Sequence, residues 1–153
     1  MTGVQTCALP ICTLRAQGWN EAISSTFCAA NDAALFAPQP NSAVAMGNPL
    51  SEEAGMLRPS LLPGIRRNLA DNSRFFSDFR LFEIGRAYTK NSDGSPVERT
   101  WLAAAIYGRE SHGANLLEMK RVAQYVAADC KVVPAKPHNK TMHPEREIGR
   151  AHV

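Results

Sequence analysis

Cysteine is scarce in this 153-residue chain. Of the four present, at positions 7, 12, 28 and 130, the first two lie at the N-terminal edge and the other two are too widely spaced to make a disulfide framework, so a reducing compartment is the default. No apolar run approaches the roughly 20 residues a bilayer span requires. The longest, Trp101–Tyr107, has the length of a strand, and 8–14 is too short and too lightly apolar for a signal segment. Neither sign of charge dominates: 17 basic against 14 acidic residues leave a net charge of +3, too little to argue for nucleic-acid binding from bulk charge. There is no glycine-rich phosphate loop, no HExxH helix and no serine in a nucleophile elbow. The expectation is a soluble, cytoplasmic protein without membrane contact.

What the chain does have is a matched pair of ends. The closing string is Ile148-Gly149-Arg150-Ala151-His152-Val153. One set of codons for it, read on the complementary strand, gives Thr-Cys-Ala-Leu-Pro and the start of Ile, which is Thr6-Cys7-Ala8-Leu9-Pro10-Ile11. Residues 1–11 and 148–153 therefore read as translated sequencing adapter, and no native structure is expected for 1–11. The part to interpret is 12–147, the size of one domain or a large piece of one. Without Arg150 its net charge is +2.

Within that insert, Thr13–Gln17 reads as the end of a helix with Gly18 as its C-terminal cap. Glu21–Cys28 reads as a strand with Ile23, Ser25 and Phe27 on one face. Asn31 is placed to cap a short helix over Asp32–Ala37, 38–42 reads as a turn, and Ala43–Met46 as a short strand. Ser51 followed by Glu52 and Glu53 reads as a helix start, the acids suiting the helix dipole. Helical spacing predicts a helix over Ser60–Ser73. Phe79–Tyr88 and Thr100–Gly108 read as strands paired in an antiparallel hairpin across the 91–96 turn, the second covered on both faces. Asn115–Asp129 carries the pattern of an amphipathic helix, Lys131–Val133 reads as the start of another strand, and 134–144 as an extended stretch.

Three constellations invite chemistry. Cys130, His138 and His143 match no closed zinc spacing, so no metal site is assigned. Glu52 and Glu53 are neighbours and point about 100° apart on a helix, which does not suit an acid/base pair. Arg66, Arg67, Arg74 and Arg80 form a modest basic concentration; an RNA-binding module built on the first three is the alternative to a solvated helix face or a contact with another subunit. Arg58, between Leu57 and Pro59, reads as a loop anchor working through an ion pair, and Trp101 as a core or interface aromatic.

The blocks Asn48-Pro49-Leu50-Ser51-Glu52-Glu53, Met56-Leu57-Arg58-Pro59-Ser60-Leu61-Leu62-Pro63-Gly64, Arg66-Arg67-Asn68-Leu69 and Leu81-Phe82-Glu83-Ile84-Gly85-Arg86 resemble, in order, the β subunit of bacterial phenylalanine–tRNA ligase. Gly18–Phe27 is similar to the family's entry into this region, and Met142-His143-Pro144 to a later signature. The resemblance implies an α+β fold, an antiparallel sheet flanked by helices forming a partial class II aminoacyl-tRNA synthetase-like core. It implies a non-catalytic copy of that core that packs on the catalytic α subunit in an (αβ)2 assembly, the whole enzyme using ATP and magnesium to charge tRNA. No cofactor residue carries over, because the family's magnesium carboxylates lie upstream of Gly18. The segment between Gly64 and Arg66 is also about one helical turn shorter than usual in the family.

A genuinely ATP-binding class II core would place an arginine and a glutamate one residue apart, on the same strand face. Here Arg80 and Glu83 are three apart and fall on opposite faces. Arg58, Arg80, Glu83 and Trp101 are accordingly expected to serve structure or an interface, with no catalytic residue in the chain.

Overall fold

A computed structural model describes residues 8–108 and 112–126. Its first helix, α1 (Ala8–Ala16), stops because Gly18 adopts φ 81, a left-handed conformation that only glycine enters without a steric penalty. The Trp19 N–H then reaches back to the Leu14 carbonyl at 3.0 Å and the Gly18 N–H to Arg15 at 3.1 Å. This double closure is the Schellman motif, and its apolar partners Leu14 and Trp19 are both buried. Gly18→Ala is expected to destabilise the chain by about 1–2 kcal/mol, the cost of a left-handed Cβ; a urea-unfolding midpoint equal to that of the parent would contradict this. The helix takes in 8–11, part of the stretch for which no native structure was expected. Pro10 lacks an N–H that the first helical turn leaves unpaired in any case, so the helix extends back through it.

The chain divides into two compact units. The first comprises Met1–Glu21, Asp71–Phe82 and Ala104–Val153; the second comprises Ala22–Ala70 and Glu83–Ala103. In the first, β1 (Asn20–Glu21) pairs with the start of β5 (Asp78–Lys90), Asn20 opposite Leu81 and Glu21 opposite Phe82. This pairing is parallel, so the sheet is mixed where an antiparallel one was expected. The long strand β5 also neighbours β6 (Pro96–Gly108), giving the order β1-β5-β6, and the tight turn between them is closed by the Asn91 N–H on the Ser95 carbonyl at 2.9 Å. Leu81, Phe82 and Glu83 are buried in succession, so the middle of β5 is covered on both faces. β6 is not: 101–108, Trp101 included, are half-buried throughout. Helix α4 (His112–Val126) belongs to the first unit, whose buried apolar side chains are Leu14, Trp19, Leu81, Phe82 and Val122.

In the second unit, β4 (Met56–Leu57) is the central strand of a small antiparallel sheet. Met56 and Leu57 pair on one side with Cys28 and Phe27 of β2 (Phe27–Cys28), and on the other with Ala45 and Val44 of β3 (Val44–Ala45). The strand expected over Glu21–Cys28 is therefore broken: its ends enter β1 and β2, and 22–26 leaves the ladder. Helix α2 (Ala30–Phe36) begins two residues before the expected Asp32, with Ala29 at its cap position and no side-chain cap; Asn31 lies inside the helix. The expected helix after Ser51 is a single 3₁₀ turn, Glu52–Ala54, with no side-chain bond from Ser51. Helix α3 (Leu62–Asn72) lies within the predicted 60–73 and buries Pro63 and Ile65. Cys28, Ala33, Phe36, Leu61, Ile65 and Ala87 form the buried apolar set of this unit. The predictions for 131–133 and 134–144 lie outside the described residues.

Candidate functional site

Arg58 follows β4 directly and precedes Pro59, whose ring confines the preceding residue to extended backbone. That backbone is held from both sides: the Arg58 N–H donates to Thr26 and the Arg58 carbonyl accepts from the Tyr88 N–H, each at 2.9 Å. The side chain, 8% exposed, is thereby directed at β5. Its Nη1 donates to Glu83 Oε1 at 2.6 Å and to the Ser24 carbonyl at 3.3 Å, and its Nε to the Arg86 carbonyl at 2.8 Å. Glu83 is 2% exposed. Besides the guanidinium, its carboxylate accepts the Ser24 N–H at 3.2 Å and the Ser24 hydroxyl at 2.8 Å. Asn68 on α3 completes the network by donating to Ser24 Oγ at 3.2 Å.

Two glycines make room for this cluster. Gly85 lies two residues after Glu83, on the same face of β5, and a Cβ there would overlap Arg58 Nη2. A Cβ on Gly64 would overlap Ser24 Cβ and Oγ, and would also lie 3.5 Å from Glu83 Oε2. Ser24 explains the broken strand. Its N–H and carbonyl are satisfied by a carboxylate and a guanidinium, so its backbone needs no neighbouring strand.

A buried ion pair returns the cost of desolvation only when its remaining donors and acceptors are also paired. Both carboxylate oxygens of Glu83 are, and Arg58 bonds through both Nε and Nη1. The pair is buried and turned toward the protein's own groups, so the arrangement does structural work, clamping β4, β5, α3 and the 22–26 segment together.

Arg80, by contrast, sits in the first unit and reaches Glu118 on α4, with Nε to Oε1 at 2.6 Å and Nη2 to Oε2 at 3.0 Å. This is the two-pronged fork an arginine would use to hold phosphate oxygens, and a carboxylate occupies it. The hydrogen bond to Glu118, its largest cause, pushes the Arg80 guanidinium further above its ordinary range. Arg80 and Glu83 thus have separate partners on opposite faces of β5. Arg66 and Arg67 are exposed and share Asp32 loosely, at 3.4 and 3.5 Å, whereas Arg74 is exposed in the other unit. Glu52 and Glu53 are exposed. Cys130, His138 and His143 lie outside the described residues; among those described, no group of three or more His, Cys, Asp or Glu side chains is placed to hold a metal. The described residues thus bring no set of carboxylates together that would suit magnesium, and the Arg80 fork is taken by Glu118.

Ser24, Asn68, Gly64 and Gly85 were not singled out from the sequence. The one local signal was Gly64, an isolated glycine inside a helical pattern, which commonly marks close packing.

Cys28 lies nearby, 3% exposed. Burial, with the Asp32 charge second, pushes its thiol above the ordinary 9.0, against the weaker opposing pull of Arg67 and Arg58. Because the folded pKa is raised, the stability linked to this thiol is present below the ordinary value and is lost as pH rises through and beyond it. At mildly alkaline pH, iodoacetamide is expected to modify exposed Cys12 about tenfold or more faster than Cys28. Equal rates, read by peptide mass spectrometry, would show that Cys28 is not enclosed.

The overall arrangement is similar to that of solved aminoacyl-tRNA synthetases. The pyrrolysyl-tRNA synthetase of Desulfitobacterium hafniense matches with a TM-score of 0.67 at 21% identity, over 88% of this chain and 51% of that one. The ATP phosphoribosyltransferase regulatory subunit/histidyl-tRNA synthetase of Bacillus halodurans matches with a TM-score of 0.62 at 15% identity, over 80% and 33%. The fold is that of a class II aminoacyl-tRNA synthetase core, and at these identities the likeness speaks for the fold alone. The family is set by sequence. Residues 12–149 match the model described as "Phenylalanyl tRNA synthetase beta chain CLM domain", and the chain belongs to that family. The phenylalanine–tRNA ligase beta subunit of Solibacter usitatus is 34% identical over 119 residues, 77% of this chain and 16% of that one. That of Ruegeria pomeroyi is 35% identical over 125 residues, 76% and 15%. The chain thus spans about a sixth of the length of the curated relatives it matches.

Proposed function

We propose that this chain is a segment of a phenylalanine–tRNA ligase β subunit whose class II-like core is structural. In this reading it packs on the catalytic α subunit within an (αβ)2 assembly in the cytoplasm and supports ATP-dependent charging of tRNA with phenylalanine. ATP, magnesium and the chemical steps belong to α, and tRNA is contacted by the whole enzyme. The observation that carries the reading is the commitment of the candidate nucleotide arginine, Arg80, to Glu118, an internal carboxylate, while Arg58, the expected loop anchor, is paired with Glu83. The shared Asp32 counter-charge weighs against an RNA track through Arg66 and Arg67. Among the described residues no helix is long and apolar enough to cross a membrane, which accords with a subunit that does not span one. We also infer that 1–11 and 148–153 are translated adapter; the family match spans 12–149, leaving out 1–11 but taking in Ile148 and Gly149, and the nucleotide read would reveal the adapters directly.

The test is co-expression of a full-length β subunit carrying residues 12–147 with its α subunit. Co-elution as a heterotetramer that charges tRNA with phenylalanine is expected. A β subunit that charges tRNA without α, or that never associates with α, would overturn the proposal.

A further inference from the structure

We draw no further inference here: the strongest candidate, the exposed aromatic patch of Phe75 and Phe76 at the turn between α3 and β5, is an unpartnered apolar face, and nothing in the structure shows what covers it.

Discussion

Replacing Glu83 with alanine is expected to cost about 3–5 kcal/mol, because it leaves the Arg58 guanidinium buried without a counter-charge. A typical domain holds only about 5–15 kcal/mol in total, so the variant should lose a large share of its stability. The cause can be separated from mere loss of volume. Glu83→Gln keeps hydrogen-bonding capacity toward Ser24 but leaves the arginine charge unpaired, and should still be strongly destabilised. The double variant Arg58→Met, Glu83→Leu removes both charges and should recover part of the loss, the remainder coming from the Ser24 N–H, hydroxyl and carbonyl and the Arg86 carbonyl, each losing its partner at about 1–3 kcal/mol where it stays buried. Urea unfolding followed through Trp19 and Trp101 fluorescence reads all three. A Glu83→Gln midpoint matching the parent would sink the ion-pair argument.

Gly64→Ala should be the next most damaging change, although alanine is ordinarily worth about 0.5–1 kcal/mol more than glycine inside a helix. The added methyl would occupy the space of Ser24 Cβ and Oγ, and Ser24 cannot swing away while Glu83 and Asn68 hold it. Overpacking of this kind costs about 1–3 kcal/mol. Gly47→Ala, with nothing within 4 Å of the new methyl, should stay within about 0.5 kcal/mol of the parent. Ser24→Gly combined with Gly64→Ala should lose less than the sum of the two single changes, because removing the Ser24 side chain frees the space the new methyl needs. Strict additivity in that cycle would mean that the close approach is not the cause.

The sequence was readable where a pattern is long and local. The β5–β6 hairpin shows itself in two apolar strands around an Asn-Ser-Asp-Gly turn, and α3 in its helical spacing. Elements of two residues, such as β2 and β4, are too short to express any period, so β4 was missed and β2 was merged with β1. The cap assigned to Asn31 failed because α2 starts at Ala30, where burial of Ala33 and Phe36 outweighs a cap bond. The site divides in the same way. Arg58 before a proline reads as an ion-pair anchor, and the three-residue spacing of Arg80 and Glu83 separates their faces. That Glu83 answers Arg58, and that Ser24 joins it across a separation of 59 residues, depends on topology that no local pattern encodes.

One measurement bears most directly on the claim that this core is structural: the ATP KM and kcat for phenylalanine charging by the assembled α and β subunits, with Arg80→Ala in β. Arg80 is bound to Glu118, and that partly exposed pair is worth about 1 kcal/mol or less. Assembly, KM and kcat are therefore expected to stay within about twofold of the parent. An ATP KM raised about tenfold or more in an intact heterotetramer would place Arg80 on the nucleotide and contradict the account.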